Sequence, residues 1–127
     1  MPNMKILVVD DEEDVQSLFQ QKFRKEIRSN IFEFSFAFSG EEALDYLANH
    51  PSEVVMILSD INMPGMSGIE LLKTIRVAHP SAPPQVMMIT AYGDSKKHDE
   101  AMLLGADDFL TKPVNFVALK EKLLQLI

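Results

Sequence analysis

Five residues scattered along the chain could do chemistry together: Asp10 and Asp11, Asp60, Thr90 and Lys112. Each stands just past a short strand-like run, respectively Ile6 to Val9, Val54 to Leu58, Val86 to Ile89 and Asp108 to Thr111. Clustered carboxylates raise one another's pKa and favour a hard divalent cation with oxygen ligands. Mg2+ suits such a set, because it keeps several waters, takes one or two carboxylates and accepts phosphate oxygens at its remaining positions. Lys112 would balance the charge of a phosphoryl group from the other side and Thr90 would donate to another of its oxygens, which leaves a carboxylate as nucleophile. Singly, each residue has a plainer explanation: Asp10 and Asp11 as a helix cap, Thr90 as a strand residue, Lys112 as a solvated charge. Asp60 is different, since a carboxylate after a fully apolar run costs stability if buried without a partner. The shared placement at strand ends favours one joint site, because open α/β sheets bind ligands beyond the carboxyl ends of their strands.

The elements that must position these residues alternate along the chain without repeats or low-complexity segments. Lys5 to Val9 reads as a strand, and Val15, Leu18, Phe19, Phe23 and Ile27 then recur at helical spacing, with Asp11 or Asp14 as the expected N-cap. Ile31 to Phe38 places four phenylalanines on one face, which suits an edge strand with unequal faces. A helix opens at Ser39-Gly40-Glu41-Glu42 and closes at His50-Pro51, and Val54 to Leu58, apolar without alternation, reads as a strand covered on both faces. The turn Asn62-Met63-Pro64-Gly65-Met66-Ser67-Gly68 leads into a helix carrying Ile69, Leu71, Leu72 and Ile75. A loop from His79 to Pro84 precedes the strand ending at Thr90, then a polar helix from about Ser95 stops at Gly105, a natural C-cap. Asp108 to Thr111 is the last strand, and a helix from about Asn115 runs to the end. Strict alternation of five strands with five helices implies an α/β fold with a doubly wound parallel sheet.

The 127 residues fit one domain over 1–127, and a core of this size needs neither disulfides nor a structural metal. Absence of Cys points to a reducing compartment, and no apolar run approaches the roughly 20 residues of a membrane span, so a cytoplasmic location with no membrane partner is expected. A formal net charge of -7 argues against direct nucleic acid binding. His50, His79 and His98 fall at helix ends or in polar stretches and are expected at the surface.

Four motifs, Val8-Val9-Asp10-Asp11, Ser59-Asp60-Ile61-Asn62-Met63-Pro64, Ile89-Thr90-Ala91 and Leu110-Thr111-Lys112-Pro113, make the chain resemble the receiver domain of two-component response regulators from Lys5 to the C-terminus. The resemblance implies a flavodoxin-like five-stranded sheet of order 2-1-3-4-5. It implies that Asp60 accepts a phosphoryl group from the phosphohistidine of a sensor histidine kinase or phosphotransfer protein. It also implies that Mg2+ is held by Asp11, Asp60 and the backbone carbonyl of Asn62, with Asp10 acting through water. Lys112 would contact the phosphoryl group across a cis bond to Pro113, and Ala91 would leave room for access. By the same resemblance Thr90 and Phe109 form the switch, and Asn62 and Tyr92 tune the lifetime of the acyl phosphate. The domain would assist its own phosphorylation and dephosphorylation without being a conventional enzyme.

Phe109 stands where the family often has Tyr, and lacking a hydroxyl to keep solvated it is expected to favour the inward rotamer. In the last helix Phe116, Val117, Leu119, Leu123, Leu124, Leu126 and Ile127 cover about half the circumference, more than the roughly 100° one sheet face needs. The surplus suits a homodimer face, a downstream effector or an attached output domain, or packing on a neighbouring helix. The end at Leu126-Ile127 mildly favours the N-terminal part of a longer protein. Two other readings stand beside the switch: a receiver-like interaction module that is never phosphorylated, and a Mg2+-dependent phosphohydrolase. The second calls for a D-x-D pair after the first strand, and Asp10-Asp11 has the wrong spacing. The absence of a Gly-rich phosphate loop disfavours a nucleotide or flavin fold.

Overall fold

In a computed structural model, residues 4–50, 53–78, 84–90 and 95–125 are described. They form five strands, β1 (Met4–Val9), β2 (Phe32–Ala37), β3 (Met56–Asp60), β4 (Gln85–Thr90) and β5 (Asp108–Thr111), all parallel and ordered β2-β1-β3-β4-β5. Six helices connect or follow them: α1 (Asp14–Lys22), α2 (Arg24–Arg28), α3 (Gly40–Asn49), α4 (Gly68–Ala78), α5 (Ser95–Leu103) and α6 (Phe116–Leu124). The expected count of five becomes six because the first helical stretch breaks at Phe23, whose φ of -109° and ψ of 23° leave the helical region. Phe23 is fully buried against Phe19, Phe32, Phe34 and Phe116, so its ring is held in the core on either side of the break.

The sheet separates two cores because successive side chains point to opposite faces. Leu7, Val9, Ile57 and Met88 join Ala43, Leu47, Leu71, Leu72, Ile75 and Ala101 on the face covered by α3, α4 and α5. Ile6, Val8, Leu58, Met87 and Ile89 join Phe19, Phe23, Leu119 and Leu123 on the face covered by α1, α2 and α6. The phenylalanine face of β2 belongs to this second core: Phe32 is buried, and Phe34 and Phe36 pack half-buried against Phe19. β2 is the edge strand its pattern predicts. β3 is buried at all five positions but begins at Met56, and Val55 before it is half exposed.

Local signals decide several ends. Ser39 caps α3 by accepting from the N–H of Glu42, whose carboxylate accepts in turn from the N–H of Phe38. Asn115 caps α6 through Val117 and Ala118, and Gly105 ends α5 at φ +98°, a conformation glycine adopts freely. The expected Asp cap of α1 is absent. Glu13 holds the N-cap position without a side-chain bond, and Asp14 is already helical, where its charge still favours the helix N-terminus. In α6, Leu119 and Leu123 are buried and Phe116 joins the aromatic core, while Val117 and Leu124 stay exposed. Ala91, Tyr92, His79, Leu126 and Ile127 lie outside the described residues.

Candidate functional site

Strand register alone brings the five residues to one edge. Val9 pairs with Ser59, Asp60 with Ile89 and Thr90 with Thr111, so Asp10, Asp60, Thr90 and Lys112 end adjacent strands at one level. Backbone bonds carry the pairing one step further: Asp10 donates to Ala37, Ile61 to Ile89, and Lys112 to Thr90 at 2.7 Å. The bond between Lys112 and Pro113 is cis, as the motif implies.

The carboxylates converge. One oxygen from each of Asp10, Asp11 and Asp60 lies within 4.8 Å of the others, with Asp10 and Asp60 buried and Asp11 exposed. Lys112 Nζ donates to Asp60 Oδ2 at 2.7 Å and lies 3.9 Å from Asp10 Oδ2. The other oxygen of Asp60 accepts from the N–H of Asn62 at 3.2 Å, and Asp10 Oδ1 accepts from the N–H of Glu12 at 3.0 Å. Of the two expected caps of α1, Asp11 belongs to this cluster and Asp14 is already within the helix. Burial, reinforced by the charge of Asp60, pushes the Asp10 carboxyl above the usual carboxylate range. For Lys112, burial pulls the ammonium down, but the hydrogen bond and charge of Asp60, with Asp10, outweigh it and raise its pKa.

Two further features bear on the site. The Thr90 hydroxyl is buried without a hydrogen-bond partner among the described residues, an uncompensated polar atom at the site's edge. Gly68, the first residue of α4, packs directly on the acidic loop: a Cβ there would come within 2.2 Å of the Asp60 carbonyl oxygen. Only glycine lets α4 start so close to Asp60. Phe109 is half-buried on the α5 side, its ring meeting that of His98 edge-on at 4.2 Å. His98 is thus part of the surface around Phe109, a contact that helical spacing within α5 could not reveal. Sequence reading also missed Lys97, which donates to the Asn62 side-chain oxygen from the first turn of α5. Its partner lies 35 positions away, so no local pattern marks it.

An all-oxygen carboxylate cluster beside an ammonium and an orphaned hydroxyl fits a hard divalent cation together with a phosphoryl group. Comparison with known proteins agrees with that chemistry. A model of the response regulator receiver domain matches residues 6–124. Response regulator RppA of Synechocystis sp. is 36% identical over 110 residues, 87% of this chain and 44% of that protein. The chain spans between 23% and 44% of such longer curated relatives. Sporulation initiation phosphotransferase F of Bacillus subtilis is 32% identical over 121 residues, 95% of this chain and 91% of that protein. Among solved structures, the receiver domain of Ssk1, in co-crystal with the Saccharomyces cerevisiae histidine phosphotransfer protein Ypd1, matches at TM-score 0.82 and 29% identity, covering 96% of this chain and 87% of that one. With its sheet order, its strand-end carboxylates and a family match across nearly its whole length, the chain belongs to the response regulator receiver domain family.

Proposed function

We propose that residues 1–127 act as one receiver domain in which Asp60 accepts a phosphoryl group, by way of a phosphohistidine on a histidine kinase or phosphotransfer protein, and relays the signal to an effector. The observation that carries this reading is the pairing of buried Asp60 with Lys112 at 2.7 Å, inside a three-carboxylate cluster at the strand ends. A carboxylate held by one ammonium and one backbone N–H is oriented for in-line attack without an acid or base. The bond to the donor nitrogen breaks as the bond from Asp60 oxygen to phosphorus forms, and the leaving imidazole keeps the electron pair.

Lys112 meets the equatorial oxygens, and Thr90, buried and without a hydrogen-bond partner among the described residues, has a hydroxyl to donate to another. Asp10, Asp11, Asp60 and the Asn62 carbonyl would hold Mg2+, which when bound neutralises charge on the transferring group. Movement of Thr90, with Phe109 turning on the last strand, would carry the change to the surface around α5 and β5. The domain assists its own phosphorylation and hydrolysis, but turnover is not its purpose. That the Ssk1 receiver is crystallised with a histidine phosphotransfer protein supports a partner of that class.

The test is intact-mass detection of phosphoryl transfer from acetyl phosphate with Mg2+, on wild type and Asp60→Ala, with size-exclusion chromatography of the same samples. A Mg2+-dependent adduct absent from Asp60→Ala is expected, and an accompanying change in elution would make dimerisation the output. No adduct in the wild type would leave an interaction module.

A further inference from the structure

Asn62 is held from two sides. Its backbone N–H donates to Asp60 Oδ1 at 3.2 Å, and its side-chain oxygen accepts from the Nζ of Lys97, in the first turn of α5. An ammonium only donates, so the atom it meets is the amide oxygen, the one acceptor the Asn62 side chain has. Asn62 is exposed, two residues from Asp60 and bonded through its backbone to the Asp60 carboxylate. Lys97 is half-buried and Lys112 approaches Asp60 by a separate bond, so two cations serve this site by different routes.

Resting on the phosphoacceptor reading of Asp60, we propose that Lys97 is a positioning residue that sets the lifetime of the aspartyl phosphate by occupying the amide oxygen of Asn62. Loss of the phosphoryl group needs a water oxygen to bond to phosphorus while the bond to Asp60 oxygen breaks. The Asp60 carboxylate keeps that electron pair, and both water hydrogens leave with dihydrogen phosphate. The attacking water is aligned best when a nearby acceptor takes one of its hydrogens. Asn62, anchored by its N–H to the Asp60 carboxylate, would offer its amide oxygen as that acceptor once released, and the ammonium of Lys97 withholds it. The same bond ties the loop that follows Asp60 to α5, so the Asn62 amide cannot turn toward the Asp60 carboxylate without releasing Lys97.

The experiment follows decay of the intact-mass adduct after removal of acetyl phosphate at fixed Mg2+, in wild type, Lys97→Met, Lys97→Arg, Asn62→Ala and the double variant Lys97→Met with Asn62→Ala. Lys97→Met should shorten the lifetime roughly threefold to tenfold, the range for a charge-assisted hydrogen bond at a partly exposed site. Lys97→Arg keeps a donor and should restore most of it. In the Asn62→Ala background, Lys97→Met should change nothing, because the oxygen it governs is gone. An unchanged or longer lifetime in Lys97→Met overturns the proposal. So does an equal acceleration with and without the Asn62 amide, which would mean that the ammonium acts on the phosphoryl group itself. Adduct formation separates these failures from that of the underlying reading: no adduct in the wild type overturns the phosphoacceptor role of Asp60 and the role of Lys97 with it.

Discussion

At the scale of a single residue, Thr90 carries the proposed switch. Its hydroxyl is 1% exposed as a residue and bonded to nothing described, a position that costs a folded protein about 1 to 3 kcal/mol. Valine has nearly the same shape without the polar atom. Thr90→Val should therefore stabilise the unphosphorylated domain by about 1 kcal/mol, raising its Tm by a few degrees, while weakening the response to phosphorylation. Thermal unfolding with and without acetyl phosphate checks both halves, and a Tm below wild type would show that the hydroxyl has a partner in solution. The same paired expectation applies to Lys112, whose removal leaves three carboxylates uncompensated. Lys112→Met should bind Mg2+ more tightly by calorimetry and yet lose at least about tenfold in phosphorylation rate, the equivalent of about 1.4 kcal/mol of lost charge stabilisation.

Between elements, the decisive contact is the start of α4 on the loop after β3. Gly68 donates to the Ile61 carbonyl at 2.8 Å and leaves no room for a Cβ, which would meet the Ile61 Cα at 2.7 Å as well as the Asp60 carbonyl. Both neighbours are backbone, so neither can turn aside. Gly68→Ala should destabilise the domain by about 3 kcal/mol, despite the better helix propensity of alanine, because the overpacked site must shift backbone. Urea unfolding measures that loss, and a variant as stable as wild type would show that α4 starts further out. The same shift would displace Asp60 from Lys112, so the phosphorylation rate should fall along with stability.

For the molecule as a whole, acidity sets the response to pH and to cations. Glu26 sits at the α2–α6 contact with its side chain 12% exposed, bonded to Lys120 at 2.9 Å. Burial pushes its carboxyl up, but the Lys120 hydrogen bond and charge, with a backbone bond, hold it below the usual range. A carboxylate depressed in the folded state stabilises above its unfolded pKa, and that contribution is lost as pH falls through the folded value. Asp108, where burial pushes the carboxyl up but the Lys122 hydrogen bond and charge and the Phe109 backbone bond together hold it below the usual range, acts with the same sign, and Asp10, raised mainly by burial, acts with the opposite sign. Lys120→Met should lower stability at neutral pH and flatten its fall below about pH 5, as read by urea midpoints across a pH series. A slope equal to wild type would take Glu26 out of the acid transition. With a formal net charge of -7 and three clustered carboxylates, the domain should also gain stability from Mg2+. The gain is about 2.7 kcal/mol at 100 times the Kd and should vanish with EDTA or in a variant lacking the Asp60 carboxylate. An EDTA-insensitive Tm would mean that the cluster does not hold the ion.

The sequence alone determined the alternation of strands and helices, the edge position of β2, the buried β3 and the strand-end placement of Asp10, Asp11, Asp60, Thr90 and Lys112. These follow from side-chain periodicity and from where apolar runs stop, and both are written locally. The cis bond before Pro113 and the order of the sheet were legible through the receiver motifs, which carry the fold with them. Tertiary structure decided the rest. The break at Phe23 leaves the helical spacing of Val15, Phe19 and Ile27 intact, and it is seen only where the ring settles among four other phenylalanines from three elements. Asp11 and Asp14 had the right type and place to cap α1, but neither does, because a carboxylate cluster built from β1 and β3 competes for the first of them. The pairing of Lys97 with Asn62 and of His98 with Phe109 depends on how α5 lies against the loop after β3 and against β5. Such contacts join residues far apart in the chain, and only the packed sheet and its helices bring them within reach.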